Sequence, residues 1–225
     1  MKPTISKSQY LRGLQCNKAL WLSYNRKDLQ LEPSPAKKDI LDTGNLIGKL
    51  AMDNYPAGVE VTNEYWDING AIKATNMYIE DGNNIIFEAT AMHPITGAYS
   101  KIDILKRVEN TDLWDLIEVK SSTQVKEYHK DDLAFQYYVF NNSGYKIRYC
   151  YMMLIDSSYE RNGDIDPENI LRLIDISEDV KDKQDKVNKI TNKLCNSLSE
   201  SKELTEQIGE KCHNTFECDF KSYCW

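Results

Sequence analysis

Three charged residues lie inside two apolar stretches of this 225-residue sequence. Asp103 is the centre of Lys101-Ile102-Asp103-Ile104-Leu105, and the other two charges are in Leu116-Ile117-Glu118-Val119-Lys120. Strands of this apolar content have no packing reason to carry charges at their centres. An acid on one strand and an acid-x-lysine on the next are typical of a metal-dependent site that cleaves phosphodiesters.

The sequence predicts three consecutive strands around these charges, at 84–91, 98–108 and 113–121, separated by two turn-like segments. If each connection is symmetric, Glu88 faces Asp103, and Asp103 faces Glu118. Directly opposed residues point to the same side of a sheet, and residues two apart on one strand share a side. We therefore expect Glu88, Asp103, Glu118 and Lys120 to form one polar patch.

Three adjacent carboxylates repel one another unless a cation lies among them, and hard divalent cations prefer oxygen ligands. The expected cation is Mg²⁺ or Mn²⁺, held by Asp103 and Glu118 with Glu88 as a further candidate. Lys120 would then orient the attacking water or stabilise developing negative charge. The spacing is equally compatible with a solvated polar face and an ordinary salt bridge, because 28% of the residues are charged.

The cysteines suggest a second metal centre. In a cytosolic protein disulfides are disfavoured, so three evenly spaced cysteines in an irregular tail predict metal ligands; they are Cys212, Cys218 and Cys224. Cys150 and Cys195 lie in apolar patterns and are expected in the core. The fourth ligand is then Cys16, near the other end of the chain, with His213 as a competing candidate.

Zinc or an iron–sulfur cluster could occupy four cysteines. Structural zinc sites usually show paired C-x2-C spacings, which the sequence lacks, so the five-residue spacers favour a [4Fe–4S] cluster. Free cysteines in a loose tail are the alternative.

Charge and hydropathy limit the function classes. The net charge of −7 argues against broad, non-specific coating of nucleic acid. Residues 1–27 nevertheless carry six basic residues and no acid, so a local basic surface there could meet phosphates, or the bias could be accidental. We find no apolar run that could span a membrane and no signal peptide, which predicts cytoplasmic residence (or the interior of an infected cell, for a viral gene) and no membrane partner.

The remaining pattern predicts helices that flank a mixed sheet, an α/β fold. Helices are expected from residue 6 or 8 to about 23, and at 37–54, 68–79, 126–142 and 179–198, with further strands at 145–155 and 169–176. On the helix at 126–142, Asp132 and Gln136 share a face. Gln136, Tyr137 and Tyr138 could contact a substrate, or could be rim residues of a partly buried amphipathic helix.

Together, the acid, the Glu-x-Lys, the glutamine on the next helix and the split cysteine set resemble a known family. They are similar to the RecB-like branch of the PD-(D/E)xK nucleases, particularly its iron–sulfur members, such as the CRISPR adaptation nuclease and the AddB nuclease domain. The stretches SKSQYLRGLQC at 6–16 and FEC-x5-CW at 216–225 also resemble a bacterial group with such a domain at the front. The resemblance spans nearly the whole chain, and the order and spacing of its motifs are specific.

The resemblance implies a single domain over 1–225 with a restriction-endonuclease-like catalytic core at 80–155. Segments 1–30 and 205–225 would be joined by a structural [4Fe–4S] cluster on Cys16, Cys212, Cys218 and Cys224, whose loss destabilises the fold. The resemblance also implies metal binding by Asp103, Glu118 and the backbone carbonyl of Val119, assistance to water by Lys120, and positioning by Gln136.

The implied activity is a Mg²⁺- or Mn²⁺-dependent deoxyribonuclease that leaves 5′-phosphate and 3′-hydroxyl products. Exonuclease action on single-stranded or end-containing DNA is favoured over endonuclease action, with a protein partner in a DNA-processing complex as a further possibility. Two departures stand out: Gly48 replaces a metal-binding histidine four residues after Gly44, and Phe140 replaces a tyrosine four residues after Gln136. The alternatives are a nuclease-fold module that binds nucleic acid or protein without efficient cleavage, and a zinc-stabilised interaction domain.

Overall fold

The computed structural model describes residues 4–32 and 35–225, and its centre is one mixed six-stranded sheet. The strands follow one another across the sheet in chain order: β1 (Val59–Glu60), β2 (Ile85–Met92), β3 (Tyr99–Arg107), β4 (Leu113–Lys120), β5 (Lys146–Ile155) and β6 (Leu171–Asp175). β2, β3 and β4 form an antiparallel meander. β1 pairs parallel to β2, β5 pairs parallel to β4, and β6 pairs antiparallel to β5. The predicted mixed sheet is therefore confirmed.

Helices cover both faces of the sheet. They are α1 (Lys7–Gln15), α2 (Asn17–Asn25), α3 (Pro35–Asp53), α4 (Ile68–Glu80), α5 (Glu127–Asn142), α6 (Pro167–Ile170), α7 (Ser177–Asp182), α8 (Gln184–Leu198) and α9 (Lys221–Cys224). Short 3₁₀ turns lie at Lys27–Leu29 and Glu210–Cys212. Within the described ranges, no helix has both the length and the apolar character needed to cross a membrane.

The prediction of one continuous helix to about residue 23 is wrong, because Cys16 interrupts the helix and separates α1 from α2. Cys16 has an extended backbone (φ −158°, ψ 114°) that ends α1 and begins α2, and its Sγ accepts the Ala19 N–H at 3.4 Å. A sulfur acceptor thus occupies the N-cap position, where an oxygen-bearing side chain is usual. The predicted helix at 179–198 likewise divides at Lys183.

Alternating side chains on the strands supply two apolar cores, one on each face of the sheet. Leu105 and Leu116 pack in the core that also contains residues of α1, α4, α5 and α8. Ile104 and Ile117, their chain neighbours, pack in the second core with Ile47 of α3. The sheet therefore lies between α3 on one side and a larger helical layer on the other.

The predicted register is confirmed, with one local irregularity. Phe87 pairs with Ile104 and Ala89 with Ile102, so Glu88 falls opposite Asp103. Glu88 has a left-handed backbone (φ 57°). Next to it on β3, Ile102 packs in the core that contains α1 and α5, whereas Ile104, two residues on, packs in the core that contains α3. Residues two apart on a regular strand share a face, so the alternation of faces is inverted here. Such irregularities re-aim side chains and often accompany functional sites.

Two helical glycines allow a test of this packing. A Cβ at Gly13 of α1 would lie 2.5 Å from Cδ1 of the buried Leu194 on α8, whereas a Cβ at Gly48 of α3 would meet open space. We expect Gly48→Ala to stabilise the protein by about 0.5–1 kcal/mol through helix propensity. We expect Gly13→Ala to destabilise it by about 1 kcal/mol, because overpacking outweighs that gain. Urea denaturation of both variants gives the signs. Equal stabilisation by both would contradict the described contact of α1 with α8.

Candidate active site

The centre of the candidate site is the carboxylate of Glu118, which is only 1% exposed. Oε1 accepts hydrogen bonds from Lys120 Nζ at 2.5 Å and from Lys7 Nζ at 2.7 Å. Oε2 accepts one from Gln136 Nε2 at 2.7 Å. A buried carboxylate needs such partners to remain ionised, so β4, α1 and α5 are all tied to this one group.

Asp132 of α5 is a second buried carboxylate in the same network, although no sequence motif assigns it to the site. Its Oδ2 accepts from Lys120 Nζ at 2.6 Å, and its Oδ1 lies 3.8 Å from Lys7 Nζ. Gln136, one turn along the helix, donates to Oδ1 at 3.4 Å. The shared face of Asp132 and Gln136 was the available signal, and the Asp132 carboxylate makes Lys120 a bridge between two acids.

Lys7 reaches the site because the chain start pairs with β3. Ser6 forms a parallel bridge with Tyr99, whose N–H donates to the Ile5 carbonyl oxygen at 2.9 Å. Ser6 then caps α1 by a reciprocal capping box with Gln9. Lys7, the first residue of α1, is thereby directed at Glu118. No motif in the sequence predicts this contact.

Asp103 approaches the network from β3, where the β3–β4 pairing ends. The last ladder pair joins Ile104 to Ile117. Beyond it, Asp103 Oδ2 accepts the Val119 N–H at 2.7 Å, so a side chain replaces the strand partner. Extending the register of that last pair places Asp103 opposite Glu118, as predicted, but the strands are joined there by a carboxylate and not by a ladder pair.

The two opposed acids have opposite pKa shifts. Burial, followed by the Glu118 charge, raises the pKa of Asp103 to about 7. Burial would also raise the pKa of Glu118, but Lys120 and Lys7 outweigh it and lower that pKa to about 2. Paired carboxylates whose environments separate their pKa values are a feature of catalytic sites.

Gln136 has an unused acceptor. Its side chain is fully buried, its amide nitrogen donates to Glu118, and its Oε1 has no hydrogen-bond partner among the described residues. An unpaired buried acceptor costs about 1–3 kcal/mol. Such a group commonly marks a place that a water or a ligand donor occupies.

The structure brings together four predicted site residues and departs from other predictions. Asp103, Glu118, Lys120 and Gln136 adjoin one another as described above. Glu88, in contrast, forms an ion pair with Lys101 at 3.3 Å. In the part of the chain that the structure describes, no three His, Cys, Asp or Glu side chains converge as a ready single-ion site. The predicted metal ligands are therefore neighbours whose charges are balanced by lysines.

Other predicted contacts lie elsewhere. Tyr138 is buried, stacks on His93 with ring centroids 4.7 Å apart and bonds Asn188, so it cannot contact a substrate. Gly48 is on α3, whose apolar side packs on the sheet face opposite to that of Glu118.

The four cysteines predicted as ligands border one cavity. Cys16, Cys212, Cys218 and Cys224 line it together with Phe220. Cys150 and Cys195 belong to the main core, as predicted. His213 packs against Trp225 instead, with ring centroids 6.2 Å apart. The side chains that the sequence separates by almost two hundred residues are thus neighbours.

Polar contacts hold the C-terminal tail on the first two helices. Arg12 donates to Asp219 at 2.9 Å, and Lys18 pairs with Glu203 at 2.7 Å. Gln15 Nε2 donates to the carbonyl oxygens of Lys211 and Phe216, at 2.9 and 2.6 Å. Among the described basic residues of this segment, Lys7, Arg12, Lys18 and Arg26 each pair with an acid, whereas Lys2 lies outside the described ranges.

Comparison with known proteins gives structural neighbours and no family assignment. No family model and no curated protein matches the chain. An alkaline exonuclease from Laribacter hongkongensis is similar over 84% of this chain and 91% of its own, with 12% identity and a TM-score of 0.37. A candidate exonuclease from Eubacterium rectale (92% and 91%, 11% identity, TM-score 0.42) and the protein SSO0001 (91% and 89%, 13% identity, TM-score 0.41) are also similar. At these TM-scores the function has to be argued from the site itself.

The Asp103 pKa predicts an unusual stability profile for the metal-free protein. An unfolded Asp ionises near pH 3.8 and folded Asp103 near pH 7, so its ionisation costs stability, increasingly as the pH rises through this window. Above pH 7 we expect the free energy of unfolding of Asp103→Asn to exceed that of wild type by about 2 kcal/mol, which is less than the full pKa shift implies because solvent partly screens the charge. Near pH 4 the two proteins should be equally stable.

The matched control is Asp115→Asn, because Asp115 accepts two hydrogen bonds from Arg148 at 2.9 and 2.6 Å. This variant should be less stable than wild type at neutral pH. Denaturant titrations in the presence of a chelator, repeated across this pH range, measure both. If Asp103→Asn is less stable than wild type at pH 8, the raised pKa of Asp103 is contradicted.

Proposed function

We propose that this chain is a metal-dependent deoxyribonuclease that hydrolyses phosphodiesters in single-stranded DNA or at DNA ends. The observation that carries the proposal is the buried network of Glu118, Lys120 and Gln136, with Asp103 beside it. Burying charged and polar groups from three elements in an apolar layer costs desolvation free energy, and such an arrangement is typical of an active site.

The residues at this position fit a Mg²⁺ or Mn²⁺ ion. Asp103 and Glu118 supply the carboxylate oxygens that hard cations prefer. The Val119 carbonyl is proposed as a further ligand, as is Glu88, which would have to leave its ion pair with Lys101. Lys7 and Lys120 balance the charge of Glu118, and Gln136 Oε1 accepts no hydrogen bond from any described residue. When bound, such an ion supplies an activated water and neutralises charge on the phosphate.

Lys120 is suited to donate a hydrogen bond as a charged ammonium, and not to act as a general base. Burial alone would lower its pKa, but Asp132, Glu118 and Asp103 outweigh it and raise the pKa well above its ordinary value. An ammonium that stays charged can orient a water and stabilise the negative charge that develops on the phosphate oxygens. Gln136 fixes the carboxylate of Glu118 and can orient a substrate or water donor with Oε1.

We also propose a structural [4Fe–4S] cluster on Cys16, Cys212, Cys218 and Cys224. The four thiols border one cavity, as the ligands of one site must. Five residues separate each of the three tail cysteines from the next, rather than the two residues of a usual structural zinc site, and this spacing favours the cluster.

The alternative is a nuclease-fold module that binds nucleic acid or a protein partner and cleaves poorly. One observation favours it: Glu118 and Asp132 already have lysine partners, so a cation must displace or rearrange an existing ion pair. Cleavage assays separate the two functions.

Lys120→Ala tests the nuclease directly. Loss of the donor should lower the rate of cleavage of end-labelled single-stranded DNA in Mn²⁺ by at least about a hundredfold. Lys106→Ala, on the sheet face away from Glu118, is the control and should cleave like wild type. The length of the labelled products gives the polarity and distinguishes exonuclease from endonuclease action.

If cluster-loaded wild-type protein cleaves neither single- nor double-stranded DNA with Mg²⁺ or Mn²⁺, the nuclease proposal fails and the binding module replaces it. Equal activity of Lys120→Ala and wild type would refute the role of Lys120.

Cys16→Ala and Cys218→Ala test the cluster. Anaerobically purified wild-type protein should be brown, with about four irons per chain. Both variants should lose iron and stability to a similar extent, because each removes one ligand of the same site. Cys195→Ala, outside the cavity, should retain both. A colourless wild-type protein with stoichiometric zinc, or iron retained in Cys16→Ala but lost in Cys195→Ala, would overturn the ligand set.

A further inference from the structure

A cleft of about 300 Å³ opens beside the candidate active site, between α1, the start of α5, α8 and the C-terminal tail. We call it the α1–α5 cleft. Its lining includes Leu11, Leu14, Tyr128, Lys186, Lys211 and Phe216. Its volume is at the lower end of the range for small-molecule sites, which suits one nucleotide-sized occupant.

The cleft is continuous with the catalytic network along two helices. Leu11 follows Lys7 by four residues on α1, and Tyr128 precedes Asp132 by four residues on α5. Residues four apart lie on one helix face and about 6 Å along its axis. Each helix therefore presents a site residue and a cleft residue on the same face, one turn apart.

The walls offer aromatic and apolar surface. The rings of Tyr128 and Phe216 meet edge to face, with centroids 5.3 Å apart, and Phe216 remains 43% exposed. Leu11 and Leu14 are half-buried beside them. An exposed aromatic ring next to apolar side chains is a platform on which an unpaired base can stack, whatever its identity.

The charge at the rim suits a phosphate. Lys186 of α8 is exposed and forms no ion pair with any described residue. Lys126 lies over the Tyr128 ring at 5.8 Å, while Lys211 pairs with Glu206. The acid in the lining, Asp131, pairs with Lys183 at 2.9 Å, and Lys183 also pairs with Glu127. Lys186 therefore remains the charge that can meet a phosphate at this rim, on a protein whose net charge is −7.

The tail wall of the cleft is held in a set conformation. Gln15 Nε2 donates to the Phe216 carbonyl oxygen at 2.6 Å, which fixes that residue against α1. Thr215, next to it, has a left-handed backbone (φ 65°), which is uncommon for a β-branched residue and costs about 1–3 kcal/mol. Strain of this kind is often retained where it orients a side chain for binding, here Phe216.

We propose that the α1–α5 cleft binds an unpaired nucleotide of a single DNA strand adjacent to the scissile phosphate, with its base on Phe216 and Tyr128 and its phosphate near Lys186. The inference rests on the proposed function, since it names the strand that the same site cleaves. A single strand can turn a base into the cleft freely, whereas a base in a duplex must first be unstacked and unpaired, which disfavours its entry.

Binding of fluorescein-labelled oligo(dT), measured by anisotropy without added divalent ions, tests the cleft apart from cleavage. Wild type should bind oligo(dT) more tightly than a blunt duplex of equal length. Phe216→Ala should weaken binding roughly tenfold, the usual scale for loss of one stacking contact, and Phe216→Trp should restore it. Lys186→Ala should weaken binding several-fold and reduce its salt dependence, whereas Lys189→Ala, on the same helix outside the cleft, should not.

Lys186→Ala keeps the test valid if Phe216→Ala disturbs the tail, because Lys186 is an exposed residue of α8. Wild-type affinity in both Phe216→Ala and Lys186→Ala, or no binding of oligo(dT) by wild type, would overturn the inference. Weaker binding in both variants would support it even if no cleavage is found, so its failure and the failure of the nuclease proposal are distinguishable.

Discussion

The burial of the Glu118 carboxylate is the constraint on which the rest of the candidate site depends. A charge taken out of water needs several polar partners, and here they come from three elements, β4, α5 and α1. Lys120 is on the same strand, Gln136 is on the following helix, and Lys7 is at the start of the chain. The placement of α1 and α5 on one sheet face is therefore linked to the charge of one residue.

The C-terminal tail extends this dependence to the cysteines. α1 carries Lys7 at its first residue and leads directly into Cys16, which borders the cavity shared with Cys212, Cys218 and Cys224. Gln15 and Arg12, between them, bind the tail. Any group that crosslinks the four thiols would fix α1, and hence the position of Lys7. A structural centre could in this way support the catalytic arrangement without taking part in the reaction.

Much of the site was predictable, because it depends on strand register. The turns on either side of β3 are symmetric, so simple pairing placed Glu88 opposite Asp103 and Asp103 opposite Glu118. Lys7 was not predictable, because its contact depends on the bridge between Ser6 and Tyr99, which no local pattern indicates. The break at Cys16 was missed for a similar reason, since the residue is not a helix breaker and acts there through a sulfur cap.

The inversion of strand faces at Glu88 was also invisible in the sequence, since a left-handed backbone usually requires glycine and Glu88 adopts it without one. Asp132 was recognised only as a helical neighbour of Gln136. Its role emerged from its distance to Lys120, which depends on how α5 packs on the sheet. Residues that act through tertiary contacts alone are the ones that sequence patterns do not identify.

The most direct test is Mn²⁺ binding measured by calorimetry on wild type and Glu118→Gln. Wild type should bind Mn²⁺, Glu118→Gln should lose this binding, and Glu127→Gln, at the exposed first residue of α5, should retain it. Equal binding by wild type and Glu118→Gln, or no binding by wild type, would contradict the claim that the buried carboxylate network is a metal site.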